Sequence, residues 1–276
     1  MTLKNILVSY NALPGANAAL ALGGLMAKKY DAHLTGLLSH GPSRIGAALG
    51  PWVTPDLIET IREQEAEKRA EIAAAFRDGA RELEKSRPGK VHWMDLGGDA
   101  DETLMEAARV YDIVVMGAYE ADEETAHLAP HPDVVALESG RPVLIVPRGY
   151  RTDRLVERAV LAWDGRRAAA RAMADAMPLL ETKSHVTVFS AGEEVRRREG
   201  LDVVAHLARH GVHTDWRHVD RPATGIAEAM LETVRDTGAG LLVMGAYEHP
   251  KFAEDLLGGV TKRVLRDTET PVLMAH

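Results

Sequence analysis

The chain of 276 residues contains no cysteine. That excludes disulfide staples, thiolate metal ligands and thiol chemistry, and it is compatible with a reducing compartment. Positive charge is also short: 33 lysines and arginines stand against 41 aspartates and glutamates, a formal net charge of −8. A chain so biased is a poor non-specific binder of nucleic acid or of acidic membrane. No apolar run approaches the roughly 20 residues that a membrane helix needs. The opening MTLKNILVSY lacks the basic, apolar and small-residue succession of a signal peptide. These absences predict a soluble protein of the cytoplasm. Catalytic signatures are missing too: spacing supports no Ser/His/Asp order, no carboxylate pair and no zinc-protease helix. His206 and His210, and His127 and His131 around Pro130, read as ordinary polar residues rather than metal ligands.

What the chain does have is a repeat. Val115–Glu120 reads VMGAYE, and so does Val243–Glu248, 128 residues further on. Arg141–Ile145 (RPVLI) is answered by Thr270–Met274 (TPVLM) at an offset of 129. Two matches at nearly one offset predict two copies of one unit, residues 1–149 and 154–276, with a polar linker from Pro147 to Arg154. Two units of about 140 residues suit the usual size of a domain.

Each copy alternates apolar strands with helical patterns. In the first, the strands are Asn5–Tyr10, His33–Leu38, Val91–Met94, Ile113–Met116 and Val143–Val146, and the helices Asn11–Tyr30, Asp56–Lys85, Asp99–Val110 and Asp133–Glu138. In the second, the strands are Ala159–Ala162, Val186–Phe189, Val212–His218, Leu241–Met244 and Val272–Ala275. Its helices are Gly165–Leu180, Glu193–Arg209, Thr224–Thr237 and Gly259–Arg266. The pattern predicts an α/β fold of two tandem open parallel five-stranded sheets, each with helices on both faces. Ligands on such sheets sit beyond the carboxyl ends of the strands. The long stretch Asp56–Lys85 has sparse apolar positions and no full counterpart in the second copy. It is the candidate surface for a protein partner or for a second chain.

Candidate site residues gather at the strand ends of the second copy. Ala162-Trp163-Asp164-Gly165 closes its first strand, Ser190-Ala191 its second, and Met244-Gly245 its fourth. Glycine after a buried strand lets backbone N–H groups approach an anion. Gly258-Gly259 opens the last helix, where free N–H groups and the helix dipole favour a phosphate. No lysine follows that pair at the P-loop position. Asp164 also suits a plainer role, as N-cap of a helix starting at Gly165. Tyr119 and Tyr247, two residues after the glycines that close the fourth strands, read as packing residues at the loop base.

These residues resemble the nucleotide-binding pattern of the universal stress protein family in tandem form, and the resemblance covers nearly the whole chain. That pattern is a glycine, two residues, a second glycine, nine residues, and a third glycine followed by serine or threonine, with an aspartate ending strand one. Gly245 matches the first glycine, Glu248 replaces the second, Gly258 matches the third, and Gly259 stands at the hydroxyl position before Val260-Thr261. Asp164 matches the aspartate, and Ala191 falls where the family's second strand meets adenine. The resemblance implies an adenine nucleotide alpha hydrolase-like, Rossmann-like fold, and ATP or a related adenine nucleotide in the second copy. It also implies an internal pseudo-dimer with the last strands of the two copies side by side and antiparallel. Glu248 opposes a triphosphate: a like-charge pair at about 4 Å costs on the order of 4 kcal/mol at an effective dielectric of 20. A divalent cation such as Mg2+ bridging carboxylate and phosphates, or a carboxylate turned to solvent, removes that objection. The first copy departs further, with Asn11 for the aspartate, Glu120 for the second glycine and Pro130 for the third, so no triphosphate is expected there. The reading is a stress or signalling protein that binds a nucleotide and at most hydrolyses ATP weakly. The alternative is an interaction module with both pockets degenerate.

Overall fold

The computed structural model describes residues 3–42, 54–192, 202–220, 222–246 and 259–276. Its strands are β1 (Asn5–Ser9), β2 (His33–His40), β3 (Val91–Gly97), β4 (Ile113–Gly117), β5 (Val143–Val146), β6 (Arg158–Ala162), β7 (His185–Ala191), β8 (Thr214–Val219), β9 (Leu242–Gly245) and β10 (Val272–Ala275). They form one sheet in the order β3-β2-β1-β4-β5-β10-β9-β6-β7-β8. All neighbours are parallel except one pair, β5 with β10, which is antiparallel: Leu144 faces Leu273, and Ile145 faces Val272. The two five-stranded halves expected from the repeat therefore share a single ten-stranded sheet, joined where the resemblance placed the seam. Each half has the order 3-2-1-4-5, so in each the strand order switches between its first and fourth strands.

The helices described are α1 (Pro14–Tyr30), α2 (Pro55–Gly79), α3 (Arg81–Ser86), α4 (Ala100–Ala108), α5 (Pro132–Glu138), α6 (Arg167–Leu180), α7 (Val203–Arg209), α8 (Ile226–Thr237) and α9 (Gly259–Asp267). Strand alternation divides the apolar residues between two layers. Ile6 and Val8 join α1, α2, α6 and α7 in one core, through Leu20, Phe76, Ala172 and Leu207. Leu7 joins α4, α5, α8 and α9 in the other, through Leu104, Val135, Met230 and Val264. Both cores run without a break across the seam. The halves also meet above the sheet, where the Tyr30 and Thr182 hydroxyls lie 2.7 Å apart.

Several boundaries differ from the sequence expectation, each for a local reason. The stretch Asp56–Lys85 is two helices that meet at Ala80, just after Gly79. A Cβ on Gly79 would come within 2.8 Å of the Leu20 side chain, so glycine allows α1 close and weakens the helix there. β3 runs on to Gly97 because its register with β2 continues to the pair His40 and Gly97. The sixth helix begins at Arg167 with Arg166 at the N-cap, so Asp164 is not its cap. Of the helix expected over Glu193–Arg209, residues 193–201 lie outside the described residues. A 3-10 turn, Ala126–Leu128, lies between β4 and α5.

Candidate functional site

The switch point of each half lies outside the carboxyl ends of its first and fourth strands, the usual ligand position on open α/β sheets. In the N-terminal half this place is filled. Pro14 leaves Gly15 with the first free N–H of α1, and no side chain of the N-cap residue answers it. Gly15 N–H donates instead to Glu120 Oε2 at 2.8 Å. Arg148 Nε lies 3.4 Å from the other carboxylate oxygen, and an Arg148 guanidinium N–H donates to Tyr119 O at 2.8 Å. A negative group at the positive end of a helix is stabilising, and here the chain supplies its own. The remaining cavity, bounded by Ser9, Asn11, Gly117, Glu120 and Pro130, measures ≈ 30 Å³. That is room for about one water. Tyr119 lines this cavity; the residue is 36% exposed and its ring stacks on His131 with centroids 4.5 Å apart. His131 in turn is held by Asp101 at 2.9 Å.

The two halves share the turn that follows strand one. Asn11 Oδ1 accepts from Leu13 N–H at 3.2 Å, and Asp164 Oδ1 accepts from Arg166 N–H at 3.0 Å. The next residue is left-handed in both, Ala12 at φ 63° and Gly165 at φ 77°. Asp164 thus holds a turn whether or not a ligand is present, and it is exposed. Asn11 spends its amide on Leu128 O at 3.1 Å.

The first glycine of each pattern has a packing role. A Cβ on Gly117 would sit 2.5 Å from the backbone of Gly15, and one on Gly245 would sit 2.6 Å from that of Ala168. Each helix after strand one crosses its fourth strand at this point. By contrast, among the described residues nothing stands within 4 Å of a Cβ on Gly259.

The structure places Ala162 and Asp164 at the end of β6, Ala191 at the end of β7, and Met244 and Gly245 at the end of β9. Val160 and Leu161 pair with Leu242 and Val243, which carries Ala162 and Met244 to the same sheet edge. Gly259, Val260 and Thr261 form the first turn of α9, with Thr261 buried. Glu248, Gly258 and Tyr247 lie outside the described residues. Two features at this end were not read from the sequence. Arg166 and Arg167, both exposed, open α6 beside Asp164; cations there run against the helix dipole. Ser190 Oγ lies 2.7 Å from His218 Nδ1, and His218 Nε2 lies 2.9 Å from Asp220 Oδ1. That chain resembles a hydrolytic triad in composition, but Ser190 is 1% exposed, so its hydroxyl cannot reach a substrate and serves to tie β7 to β8. His206 and His210 sit with ring centres 4.9 Å apart, and His210 Nδ1 is 3.2 Å from Glu181. Among the described residues no group of three or more His, Cys, Asp or Glu is arranged to hold a metal.

With the geometry in place, comparison with known proteins is decisive for ancestry. The profile of the universal stress protein family matches residues 2–147 and 190–276. The chain belongs to that family. A curated universal stress protein, Slr1230 of Synechocystis, is 24% identical over 170 residues, covering 59% of this chain and 57% of its own length. The chain thus spans little more than half of that universal stress protein. A universal stress protein from Archaeoglobus fulgidus shares the fold over 98% of this chain and 95% of its own, at 16% identity and a TM-score of 0.70. A functionally unknown protein from Pseudomonas aeruginosa does so over 99% and 92%, at 19% identity and a TM-score of 0.63. The chain thus shares the open, Rossmann-like α/β sheet of these solved structures. No helix among the described residues is long and apolar enough to cross a membrane.

Proposed function

We propose that this chain is a stress-response or signalling protein of two universal stress protein repeats, residues 1–149 and 154–276. In this reading the second repeat binds ATP or a related adenine nucleotide and the first does not. The observation behind an empty first repeat is Glu120, whose carboxylate occupies the helix-end position that a phosphate would use, 2.8 Å from Gly15 N–H. Since Glu248 is its counterpart in the second repeat, the asymmetry itself rests on Asn11 and Pro130 standing where the second repeat has Asp164 and Gly258. In the second repeat Asp164 is retained and exposed at the end of β6. Arg166 and Arg167 bring positive charge beside it, and α9 offers the backbone N–H groups of its first turn. Mg2+ joining Glu248 to the phosphates belongs to the same reading, as does a location in the cytoplasm. In this reading the role is binding, with at most weak ATP hydrolysis; among the described residues Ser190, the one hydroxyl in a Ser-His-Asp chain, is shielded.

The test is calorimetric titration of the purified chain with ATP, with and without Mg2+, after release of any nucleotide carried through purification. One nucleotide per chain is expected, weakened at least tenfold by Asp164→Ala. Gly259→Ser restores the family's hydroxyl and should tighten binding. Two nucleotides per chain would overturn the asymmetry. No binding by the parent, together with binding by Glu248→Gly, would favour the interaction module.

A further inference from the structure

At the amino ends of β2 and β3, remote from the carboxyl ends just described, an open recess of ≈ 440 Å³ is lined in part by His33, His92, Met94 and Tyr111. His33 Nδ1 and His92 Nε2 are 2.9 Å apart. Their ring centres are 5.2 Å apart and the ring planes differ by 13°. Two imidazoles in contact at that nitrogen distance reach such a separation only when centre, nitrogen, nitrogen and centre fall close to one line. The two nitrogen lone-pair axes therefore coincide, with one shared proton between them. Met94 is two residues beyond His92 on the same face of β3, opposite Leu37 of β2. Its sulfur accepts from the Tyr111 hydroxyl at 3.7 Å. None of the residues lining the recess is acidic.

The donor set discriminates among metals. Calcium and magnesium need several oxygen ligands, and carboxylates in particular. Zinc takes four donors in a tetrahedron. Two imidazole nitrogens facing each other along a line, with a thioether in the same recess, suit a soft monovalent cation of low coordination number. We propose that His33 and His92 bind copper(I) in place of their shared proton, with Met94 Sδ as a third, weaker donor. No electron moves. Two N–Cu bonds form, the N–H···N bond is lost, and the donor ring passes its proton to its own other nitrogen. At metal–nitrogen distances of about 2 Å the two nitrogens must part by roughly 1 Å. His92 is exposed on β3, which among the described residues has a neighbouring strand on one side only, so its side chain has the freedom to retreat. The absence of cysteine removes the usual competing soft ligand from the measurement.

The experiment is an anaerobic titration of the full chain with copper(I) against a colorimetric chelator, repeated with silver(I) as a redox-inert probe. Imidazole 15N shifts are followed in parallel. One equivalent is expected, with His33 and His92 shifting together. His33→Ala and His92→Ala should each weaken binding at least a hundredfold and Met94→Leu about tenfold, while His206→Ala leaves it unchanged. Zinc should leave both imidazoles unshifted. Circular dichroism checks the variants, and His92→Gln replaces any alanine variant that fails to fold. Failure of the parent to bind, unchanged affinity in either histidine variant, or zinc binding at the pair as tightly as copper(I) would each overturn the proposal.

Discussion

Lys183 lies where the end of α6 meets the end of α1, its ammonium donating to Val156 O at 2.6 Å. Burial, helped by the nearby Lys29 cation and opposed by Glu157, pushes its amine down to about 8 from the ordinary 10.5. Below about pH 8 folded and unfolded chains both hold the proton, and the fold bears the whole cost of a buried cation. Between about 8 and 10.5 the unfolded chain holds more protons, so this contribution to stability rises with pH; above 10.5 the cost is gone. A shift of that size corresponds to about 3 kcal/mol. Lys183→Met should therefore stabilise the protein by about 1–3 kcal/mol at pH 7, since part of the gain is lost with the hydrogen bond. Chemical denaturation should show the advantage disappearing near pH 10.5. Glu120 works in the opposite sense: Glu120→Ala leaves Gly15 N–H without its acceptor and should cost about 1–2 kcal/mol by the same measurement.

Glycines of similar appearance differ once the elements around them are known. Gly117→Ala and Gly245→Ala each press a methyl into the backbone of a crossing helix, Gly15 and Ala168 respectively. Each should destabilise by about 1–3 kcal/mol or move α1 or α6 away from its strand. Gly24, inside α1 with nothing within 4 Å of a Cβ, should behave oppositely, Gly24→Ala gaining about 0.5–1 kcal/mol. Thermal denaturation of the three variants checks the contrast. Elements with buried apolar runs, such as Val143–Val146 and Val272–Ala275, were legible in the sequence because a run this short, preceded by Pro142 or Pro271, suits a strand buried on both faces. The end of β3 was not: Asp95, Leu96 and Gly97 look like loop until β2 is seen alongside. The resemblance marked Asp164 and the glycines, and the structure brings the described ones to one sheet edge. The plug by Glu120 was illegible, because its partner Gly15 is 105 residues away and no local pattern joins them. The same holds for Ser190 and His218, which only the register of β7 and β8 brings opposite each other.

At the scale of the molecule, the seam couples the halves. Leu144, Leu161 and Leu273 belong to the same core as Ile6 and Phe76, so neither half can lose its packing alone. One cooperative unfolding transition is expected, with equal calorimetric and van't Hoff enthalpies. Leu273→Asp would bury an unpaired carboxylate opposite Leu144 and should lower the stability of both halves together; two separated transitions would contradict this. The seam also decides what the molecule shows its neighbours. The apolar strands VLIV and VLMA are spent on each other, leaving β3 and β8 at the outer margins. Those margins carry Asp95, tied to His40 and Arg69, and Arg217, tied to Asp236. Charges along an open strand discourage another chain from adding to it. Joining the two halves in one chain thus turns their most apolar strands toward each other and leaves ion-paired strands at the rim.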